Sequence, residues 1–365
     1  MEITTPRPQL SKALELIGRI SIKHVTLPVL QCVLITAKEG KIVLKATNLE
    51  LSIEINLEGK VLEEGIIAVP ANTLLSSIQY INESEITLKT EDQVLLIESR
   101  NTNTSIKSIA NDEFPNIYHL EGEGYEIGRS LFALGIKTAA LAASLSTIKP
   151  ELGSVYIQQK KEHSLTFVAT DSFRLMEKTV PQKNVILKAP FLIPQKNAVE
   201  LARICDLLQT DPKLTVTENQ CALDFYQEGV YVTSRLVTGT FPDYEQIIPK
   251  EYVTHVTLLK NDLANAFKKT SIFLNKFSQV SFIINDKSIT VSSQNSDVGH
   301  TTDTVSGVVV GEDLTLNFNQ QYLIEPLSHF SDESIVLHFA GLGRPLVFTG
   351  HADTTLRYLV MPMNR

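Results

Sequence analysis

Asp171 is an acidic residue that could serve as a catalytic acid. It lies in the stretch FVATDSFRLMEKTV, and an upstream stretch of the same shape, LKATNLELSIEINL, carries Asn48 at the matching position. The preceding residues, Thr170 and Thr47, are 123 positions apart. Because Asn and Asp side chains both hydrogen-bond the backbone of tight turns, the shared position predicts a turn cap that the chain uses twice.

Other residue patterns that could do chemistry are weak. The eight histidines lack the HxxxH and HExxH spacings of metal sites, and GLGRPL at 341–346 lacks the last glycine of a dinucleotide-binding fingerprint. Cys32, Cys205 and Cys221 are widely spaced among apolar neighbours, which predicts reduced core thiols. The sequence therefore predicts no catalytic residue, no metal and no cofactor, and we do not expect an enzyme.

The composition is that of a globular chain with room for two or three domains: 365 residues, 43% hydrophobic and 20% charged. The N-terminal MEITTPRPQL differs from a basic-plus-apolar leader, and no apolar run approaches the ~18 residues of a membrane span. We therefore expect a cytoplasmic protein. The formal net charge of −8 disfavours a nucleic-acid partner, unless positive charge is concentrated on one surface.

A threefold pattern organises the elements that must position any site. Each third opens with a short strand that leads into an amphipathic helix, at 2–20, 125–144 and 255–274. In the first of these, Leu10, Ala13, Leu14 and Ile17 have the i, i+3, i+4, i+7 spacing of a helix with one buried face. A second strand-helix unit recurs further along each third, at 67–81, 191–205 and 316–330.

Alternating segments bounded by turn residues surround these helices and predict antiparallel strands. A period near 123 residues exceeds the roughly 20 to 50 residues of solenoid repeats, so each repeat is a domain in its own right. The sequence thus predicts an α+β fold of three tandem domains, 1–124, 125–252 and 253–365, each with two helices on one face of antiparallel sheet.

The chain resembles a known family over its whole length. The stretches that carry the resemblance are TLPVLQCVLI at 26, ATNLELSIE at 46, VATDSFRL at 168, IPQKNAVELARI at 193, SRLVTGTFPDYEQIIPK at 234 and LVMPM at 359. Together they resemble the bacterial DNA polymerase III beta subunits, the beta sliding clamps. The resemblance implies a pseudo-sixfold ring formed by a head-to-tail homodimer, which encircles duplex DNA and tethers the replicative polymerase, the clamp loader and other DNA-processing proteins. It implies a processivity subunit without a catalytic site of its own.

Helix dimensions permit such a ring. Twelve helices of ~10 Å diameter, placed side by side, form a circle with a circumference of about 120 Å, which leaves a central hole with a diameter of roughly 28 Å. A B-form duplex about 20 Å wide passes through it. The alternative is a three-domain binding scaffold that does not close into a ring.

Positive charge is concentrated on the first helices. Counted with their ends over 7–23, 129–149 and 260–276, the first helical segments each carry a net charge of +3. With the second helices, 71–82, 195–209 and 319–330, the six segments together carry +8, which leaves −16 for the rest of the chain. A basic inner surface in an acidic shell would attract phosphates without reading bases. The candidate DNA contacts are Lys12, Lys23, His24, Lys137, Lys149 and Lys196.

The resemblance also implies a pocket between the second and third domains that binds short peptides of partner proteins. Carried over residue by residue, it comprises Leu152, Thr170, Ser172, Phe173, Arg174, Leu175, Pro242, Ile247, Phe277, Asn319, Tyr322, Pro345, Val360, Met361, Pro362 and Met363. The chain departs from the family pattern at Ser172 and Phe173, where Gly-His is common, and at Gln246, where Arg is common. A different peptide consensus is therefore expected.

Ring closure requires the first domain of one chain to meet the third domain of the other. The candidate contacts are Ile106, in a predicted edge strand with alternating apolar residues, and Ile272 with Phe273. Pairing of exposed sheet edges across a dimer removes their tendency to aggregate.

Overall fold

The computed structural model describes residues 1–21, 26–99, 103–183, 185–285 and 288–363. The α-helices in these residues are α1 (Arg7–Ile17), α2 (Ala71–Ile78), α3 (Arg129–Ala139), α4 (Gln195–Leu207), α5 (Lys260–Thr270) and α6 (Gln320–Ile324). The strands are β1 (Glu2–Pro6), β2 (Cys32–Lys38), β3 (Lys41–Thr47), β4 (Leu51–Leu57), β5 (Lys60–Glu63), β6 (Gly65–Pro70), β7 (Glu85–Glu91), β8 (Val94–Glu98), β9 (Asn103–Lys107), β10 (Gly124–Glu126), β11 (Ser154–Gln158), β12 (Ser164–Thr170), β13 (Arg174–Pro181), β14 (Phe191–Pro194), β15 (Lys213–Val216), β16 (Gln220–Phe225), β17 (Val230–Arg235), β18 (Thr254–Leu259), β19 (Gln279–Ile284), β20 (Ser288–Asn295), β21 (Gly299–Gly311), β22 (Leu314–Asn319), β23 (Ser334–Phe339), β24 (Leu346–Gly350) and β25 (Leu356–Val360).

The predicted threefold order is confirmed. The strands β1, β10 and β18 lead into the first helices α1, α3 and α5, while β6, β14 and β22 lead directly into the second helices α2, α4 and α6. In α1 the residues Leu10, Ala13, Leu14 and Ile17 are buried, as their spacing predicts. The helix α6 is shorter than the sequence indicates, because Pro326 has no backbone N–H and the chain continues as a 3-10 turn over Glu325–His329.

Two compact units contain the sheets. The first unit comprises Met1–Ala133 and Val199–Leu236, and the second comprises Leu134–Ala198 and Val237–Arg365. The first unit holds a five-stranded sheet of order β5-β1-β7-β8-β9 and an eight-stranded sheet of order β10-β15-β16-β17-β4-β3-β2-β6. The second unit holds a twelve-stranded sheet of order β14-β11-β12-β13-β25-β24-β23-β18-β21-β20-β19-β22.

Both large sheets continue from one third of the sequence into the next. Within the first unit, β4 pairs antiparallel with β17, with Ile53 opposite Val232. Within the second unit, β13 pairs antiparallel with β25, with Met176 opposite Tyr358. We call these two strand pairs the first joint and the second joint. Backbone hydrogen bonds along both joints fix the neighbouring repeats to each other.

Each repeat carries an equivalent row of register partners across one sheet face. The first row is Ala68, Leu34, Lys45, Glu54 and Tyr231; the second is Leu192, Tyr156, Val168, Glu177 and Arg357; the third is Asn317, Ser281, Ser292 and Thr302. Phe114 packs against the first row, and Phe241 packs against the second. Both phenylalanines belong to segments that follow the last strand of their repeat. The third row is polar throughout, and its members Ser281, Ser292 and Thr302 line an open groove of about 720 Å³.

Cys32, Cys205 and Cys221 are buried free thiols, as predicted. Burial raises the pKa of Cys32 to about 11 and the pKa of Cys221 to about 12, so neither thiol ionises at neutral pH. None of the helices in the described ranges is both long and apolar enough to cross a membrane.

Candidate partner-binding site and nucleic-acid surface

The turn at Thr170–Arg174 is built by two side chains that replace missing backbone partners. Asp171 Oδ1 accepts hydrogen bonds from the backbone N–H groups of Phe173 at 2.9 Å and Arg174 at 3.0 Å. Thr170 Oγ1 donates to the Arg174 carbonyl at 2.7 Å. Ser172 adopts the left-handed conformation, with φ +79°. These bonds confirm that Asp171 is a turn cap.

The same turn occurs at Thr47–Leu51 in the first repeat. Asn48 Oδ1 accepts from the N–H groups of Glu50 at 3.0 Å and Leu51 at 2.7 Å, and Thr47 Oγ1 contacts the Leu51 carbonyl at 3.2 Å. Leu49 has φ +74°. The two stretches that are similar in sequence therefore form the same hydrogen bonds at equivalent residues.

Arg174 links this turn to α6 within the second unit. Its Nε donates to Asp171 Oδ2 at 3.0 Å, its Nη1 donates to Glu325 Oε2, and its guanidinium lies 4.4 Å from the centroid of the Tyr322 ring. Burial opposes the charge of Arg174, but the hydrogen bond to Glu325 and the nearby acids raise its pKa above the usual value. Arg174 is thus a fixed cation with one planar face on an aromatic ring.

The last strand of the chain brings further predicted site residues to the same turn. Val360 is the register partner of Arg174, and the backbone N–H of Met361 donates to the Phe173 carbonyl at 2.8 Å. Met363 N–H donates to the Asn317 carbonyl at 2.7 Å. The segment after β25 is therefore held to the turn at one end and to β22 at the other.

Burial divides the predicted peptide-site residues into two groups. The buried members, which can only form walls or floor, are Leu152, Thr170, Leu175 and Val360. The members with strongly exposed apolar side chains are Phe173 (62%), Ile247 (47%) and Phe277 (58%). Pro242 and Ser172 are also exposed, whereas Arg174, Asn319, Tyr322, Pro345, Met361, Pro362 and Met363 are half-buried. An exposed apolar side chain such as Phe173, next to the fixed cation Arg174, can bind an apolar peptide segment and orient its backbone.

Local bonds explain how the outlying members are positioned. Asn319 Oδ1 accepts from the N–H of Gln321 at 2.9 Å and so caps α6. The turn that carries Phe277 is tied to the start of α6, because Gln320 N–H donates to the Ser278 carbonyl at 2.8 Å. Pro345 directly precedes Leu346, the register partner of Val360 in β24.

Sequence reasoning missed the partners of two carboxylates: Glu325, which pairs with Arg174, and Glu177. Glu177 is buried beside the second joint, where its carboxylate accepts from Lys160 Nζ at 2.7 Å, Tyr244 OH at 2.6 Å and Arg357 Nη1 at 3.3 Å. Burial alone would raise the pKa of Glu177, but these donors lower it. The repeat alignment offered one signal, since Glu54 and Glu177 follow Thr47 and Thr170 at the same distance.

The predicted DNA contacts lie on exposed surface where the structure describes them. Lys12, Lys137, Lys149 and Lys196 are exposed, whereas Lys23 and His24 lie outside the described residues. Lys12 is not free of partners: its Nζ lies 2.9 Å from Glu228 Oε2.

Two cations of the charge count have structural roles instead. Arg129 Nε donates to the Gln209 carbonyl and its Nη1 donates to the Cys205 carbonyl, both at 3.0 Å. Lys260 Nζ donates to the Phe330 carbonyl at 2.6 Å. The Arg129 side chain thus satisfies carbonyls at and just beyond the end of α4, where a positive charge is favourable, and the Lys260 side chain satisfies a carbonyl that follows the 3-10 turn Glu325–His329. The basic surface is weaker than the sequence sum of +3 for each first helix suggests.

The predicted dimer residues differ in exposure. Ile272 is 67% exposed and Phe273 is half-buried, so both have surface to offer. Ile106 lies on β9, an edge strand of the five-stranded sheet, but only 5% of it is exposed because its side chain faces the core of its own repeat. What β9 offers a second chain is its backbone and the exposed residues Asn103, Ser105 and Lys107.

Three models of one protein family match consecutive parts of the chain. The N-terminal domain of the DNA polymerase III beta subunit matches residues 1–118, the central domain matches 126–243 and the C-terminal domain matches 245–364. Together with the repeated strand-helix units, these matches confirm the predicted α+β fold of three tandem clamp domains.

Named relatives match over nearly their full length. The chain is 25% identical over 372 residues to the beta sliding clamp of Synechococcus elongatus, covering 100% of this chain and 99% of the relative, and 26% identical over 376 residues to that of Pseudomonas putida, covering 100% of both. The crystal structure of the beta subunit from Thermotoga maritima matches with a TM-score of 0.94 at 24% identity, covering 100% of this chain and 99% of the other. The Pseudomonas aeruginosa clamp bound to griselimycin matches with a TM-score of 0.92 at 23% identity, covering 100% of both. The chain therefore belongs to the family of bacterial DNA polymerase III beta subunits, the beta sliding clamps.

Proposed function

We propose that two copies of this chain close head to tail into a ring that encircles duplex DNA and tethers the replicative polymerase. The observation that carries the proposal is the repetition of joints within one chain. At the first and second joints, β4 and β13 each pair with the last strand of the following repeat. The equivalent strand of the third repeat is the first half of β21.

Among the described strands, none from a further repeat pairs with the first half of β21 to complete this pattern. Within the described residues, Gly299–Ser306 of β21 pair on one side with β20, and only the second half of β21, Gly307–Gly311, pairs with β18. In the part of the chain that the structure describes, β9, the last strand of the first repeat, pairs only with β8. We infer that β9 of one copy pairs with the first half of β21 of the other, which forms a third joint twice per ring.

The inner surface of this ring is assigned to the helices. Six helices per chain give the twelve that enclose a hole of roughly 28 Å at ~10 Å per helix. The exposed residues Lys12, Lys137, Lys149 and Lys196 support contacts to phosphates, and binding is then independent of base sequence. The domains 1–124, 125–252 and 253–365 are assigned as the three clamp domains.

Partner peptides are assigned to the surface around Arg174. The exposed side chains of Phe173, Ile247 and Phe277 supply apolar contact, and Arg174 with Tyr322 supplies a rigid anchor. The double variant Arg174→Ala with Tyr322→Ala removes this anchor and tests whether the polymerase binds here. We expect loss of processive synthesis by the cognate polymerase while the ring still stays on circular DNA. Unchanged processivity would remove the assignment.

Topology provides the test of encirclement. A ring loaded on nicked circular DNA should stay bound in salt that dissolves ordinary phosphate contacts, and should leave once the circle is cut. Retention that follows salt alone and ignores linearisation would contradict the proposal. Light scattering distinguishes the ring from the alternative, a scaffold that does not form a ring. The ring should have about twice the 40.5 kDa mass of one chain.

A further inference from the structure

Lys12 and Glu228 form an ion pair that joins α1 to the turn between β16 and β17. Lys12 Nζ lies 2.9 Å from Glu228 Oε2. The lysine side chain is 47% exposed, whereas the Glu228 side chain is only 17% exposed. The lysine thus projects toward solvent, and the carboxylate that holds it is the better buried of the two.

Glu228 is fixed by three further donors, all to its other oxygen. Oε1 accepts from Gln209 N–H at 2.6 Å, from Thr210 N–H at 2.9 Å and from Thr210 Oγ1 at 3.0 Å. Although burial opposes its charge, hydrogen bonds from Thr210, Lys12 and Gln209 lower the pKa of Glu228 to about 2. The carboxylate is therefore ionised at neutral pH, and the three bonds to Oε1 hold it in place independently of Lys12.

The pair lies in a place that ions and solvent reach. Lys12 and Glu228 line an open cleft of about 540 Å³ together with Gln9, Asn56 and Tyr226. Lys12 also shares the exposed side of α1 with Glu15. A phosphate that approaches this side of α1 must compete with Glu228 for the ammonium group.

We propose that Glu228 competes with DNA phosphates for the ammonium group of Lys12. This competition lowers the affinity of the helical surface for duplex DNA. This inference rests on the proposed function of a sliding ring. Each lysine-phosphate contact steepens the slope of log affinity against log salt concentration by about 0.9. Phosphate contacts that are too strong hold a protein at one place on the duplex. By neutralising Lys12, Glu228 keeps the ring mobile.

Glu228→Gln separates competition from folding. The glutamine oxygen can keep the three bonds that Oε1 accepts, while its amide nitrogen replaces Oε2 and cannot accept from Lys12. Glu15→Gln is the matched control, because it removes one negative charge from the exposed side of α1 that carries Lys12, while the Lys12–Glu228 pair stays intact. An unchanged melting temperature verifies that each variant is folded.

The measurement is the affinity of the full-length protein for a short fluorescein-labelled duplex, by anisotropy, at salt concentrations from about 50 to 200 mM. For Glu228→Gln we expect the slope of log affinity against log salt to steepen by about 0.9 for each chain that contacts DNA. For Glu15→Gln we expect no such steepening. Adding Lys12→Gln to Glu228→Gln should return the slope to that of Lys12→Gln alone.

An unchanged slope for Glu228→Gln, or an equal steepening for Glu15→Gln, would overturn the competitor role. Retention of the wild-type ring on circular DNA, measured alongside, distinguishes this result from failure of the proposed function. Normal retention with an unchanged slope rejects only the role of Glu228. Absence of topological retention rejects the ring itself.

Discussion

Glu54 and Glu177 occupy equivalent positions in two successive joints, each opposite a residue of the next repeat, Tyr231 and Arg357. Glu54 pairs with Lys45 Nζ at 2.9 Å and lies 3.4 Å from His119 Nε2, while the His119 ring stacks on Tyr231 with centroids 4.0 Å apart. At both joints, a carboxylate with little exposure thus contacts groups from more than one strand or segment.

Glu177→Gln should destabilise the protein by about 2 kcal/mol. The substitution removes the charge that Lys160 and Arg357 face, although the amide oxygen can still accept from Tyr244. Urea unfolding should show a lower midpoint. The control is Glu245→Gln, which also pairs with Lys160 but has a side chain that is 61% exposed, so its cost should stay below about 0.5 kcal/mol. Equal effects of the two variants would contradict a special role for Glu177.

Acid should weaken the third repeat through His338. Its Nδ1 lies 2.8 Å from His255 Nδ1, and burial together with His255 and Arg357 lowers the pKa of His338 from 6.5 to about 4. Between these two pH values the unfolded chain binds a proton at His338 that the folded chain excludes. The contribution of neutral His338 to the free energy of unfolding is therefore fully present above about pH 6.5 and is lost as the pH falls toward about 4. Melting temperatures across this range should fall less steeply for His338→Gln than for the wild type, and parallel curves would refute the assignment.

Ser172→Gly should stabilise the protein by about 0.5 kcal/mol, because glycine adopts a positive φ without the steric cost that other residues incur. The wild-type φ is +79°. Ser77→Gly is the control, since Ser77 lies inside α2 and glycine there should cost about 0.5 kcal/mol. Chemical denaturation measures both changes. A loss of stability at Ser172 would indicate that its side chain makes a contact worth more than the relief of strain.

Two variants should separate association from folding. Ile272→Ala combined with Phe273→Ala should give a folded monomer, because Ile272 is exposed and Phe273 is half-buried in a single chain. Ile106→Ala should instead lower the free energy of unfolding by about 2 to 4 kcal/mol through loss of core packing. Light scattering and thermal melts give both readouts. A double variant that remains dimeric at micromolar concentration would remove Ile272 and Phe273 from the interface.

Local sequence patterns predicted the features that depend on near neighbours. The helical spacing of Leu10 and Leu14 and the Asx residue at Asn48 and Asp171 each act within a few positions, so the order of helices and the two turns were predictable. The structural roles of the charged side chains were not predictable, because they depend on contacts between positions that are distant in the sequence. Arg129 finds the carbonyl of Cys205 and Arg174 finds Glu325, and nothing adjacent to either arginine indicates that partner.

The exposure of Ile106 also required the structure. Alternation along NTSIK places Ile106 and Thr104 on the same face, but the sequence does not reveal whether that face meets the core or a second chain. The peptide-site residues stay a prediction on which the geometry places limits, since Leu175 and Val360 are fully buried and contribute through shape alone.

The polar third row has a mechanical consequence for the proposed ring. At the first two joints a strand pair is reinforced by a carboxylate network, and the row beside it is covered by a phenylalanine of the same chain. The position that corresponds to Glu54 and Glu177 is Thr302, in an uncovered groove. The proposed ring would contain four joints within chains and two between chains, and we expect a clamp loader to open it at a joint between chains while every repeat stays folded.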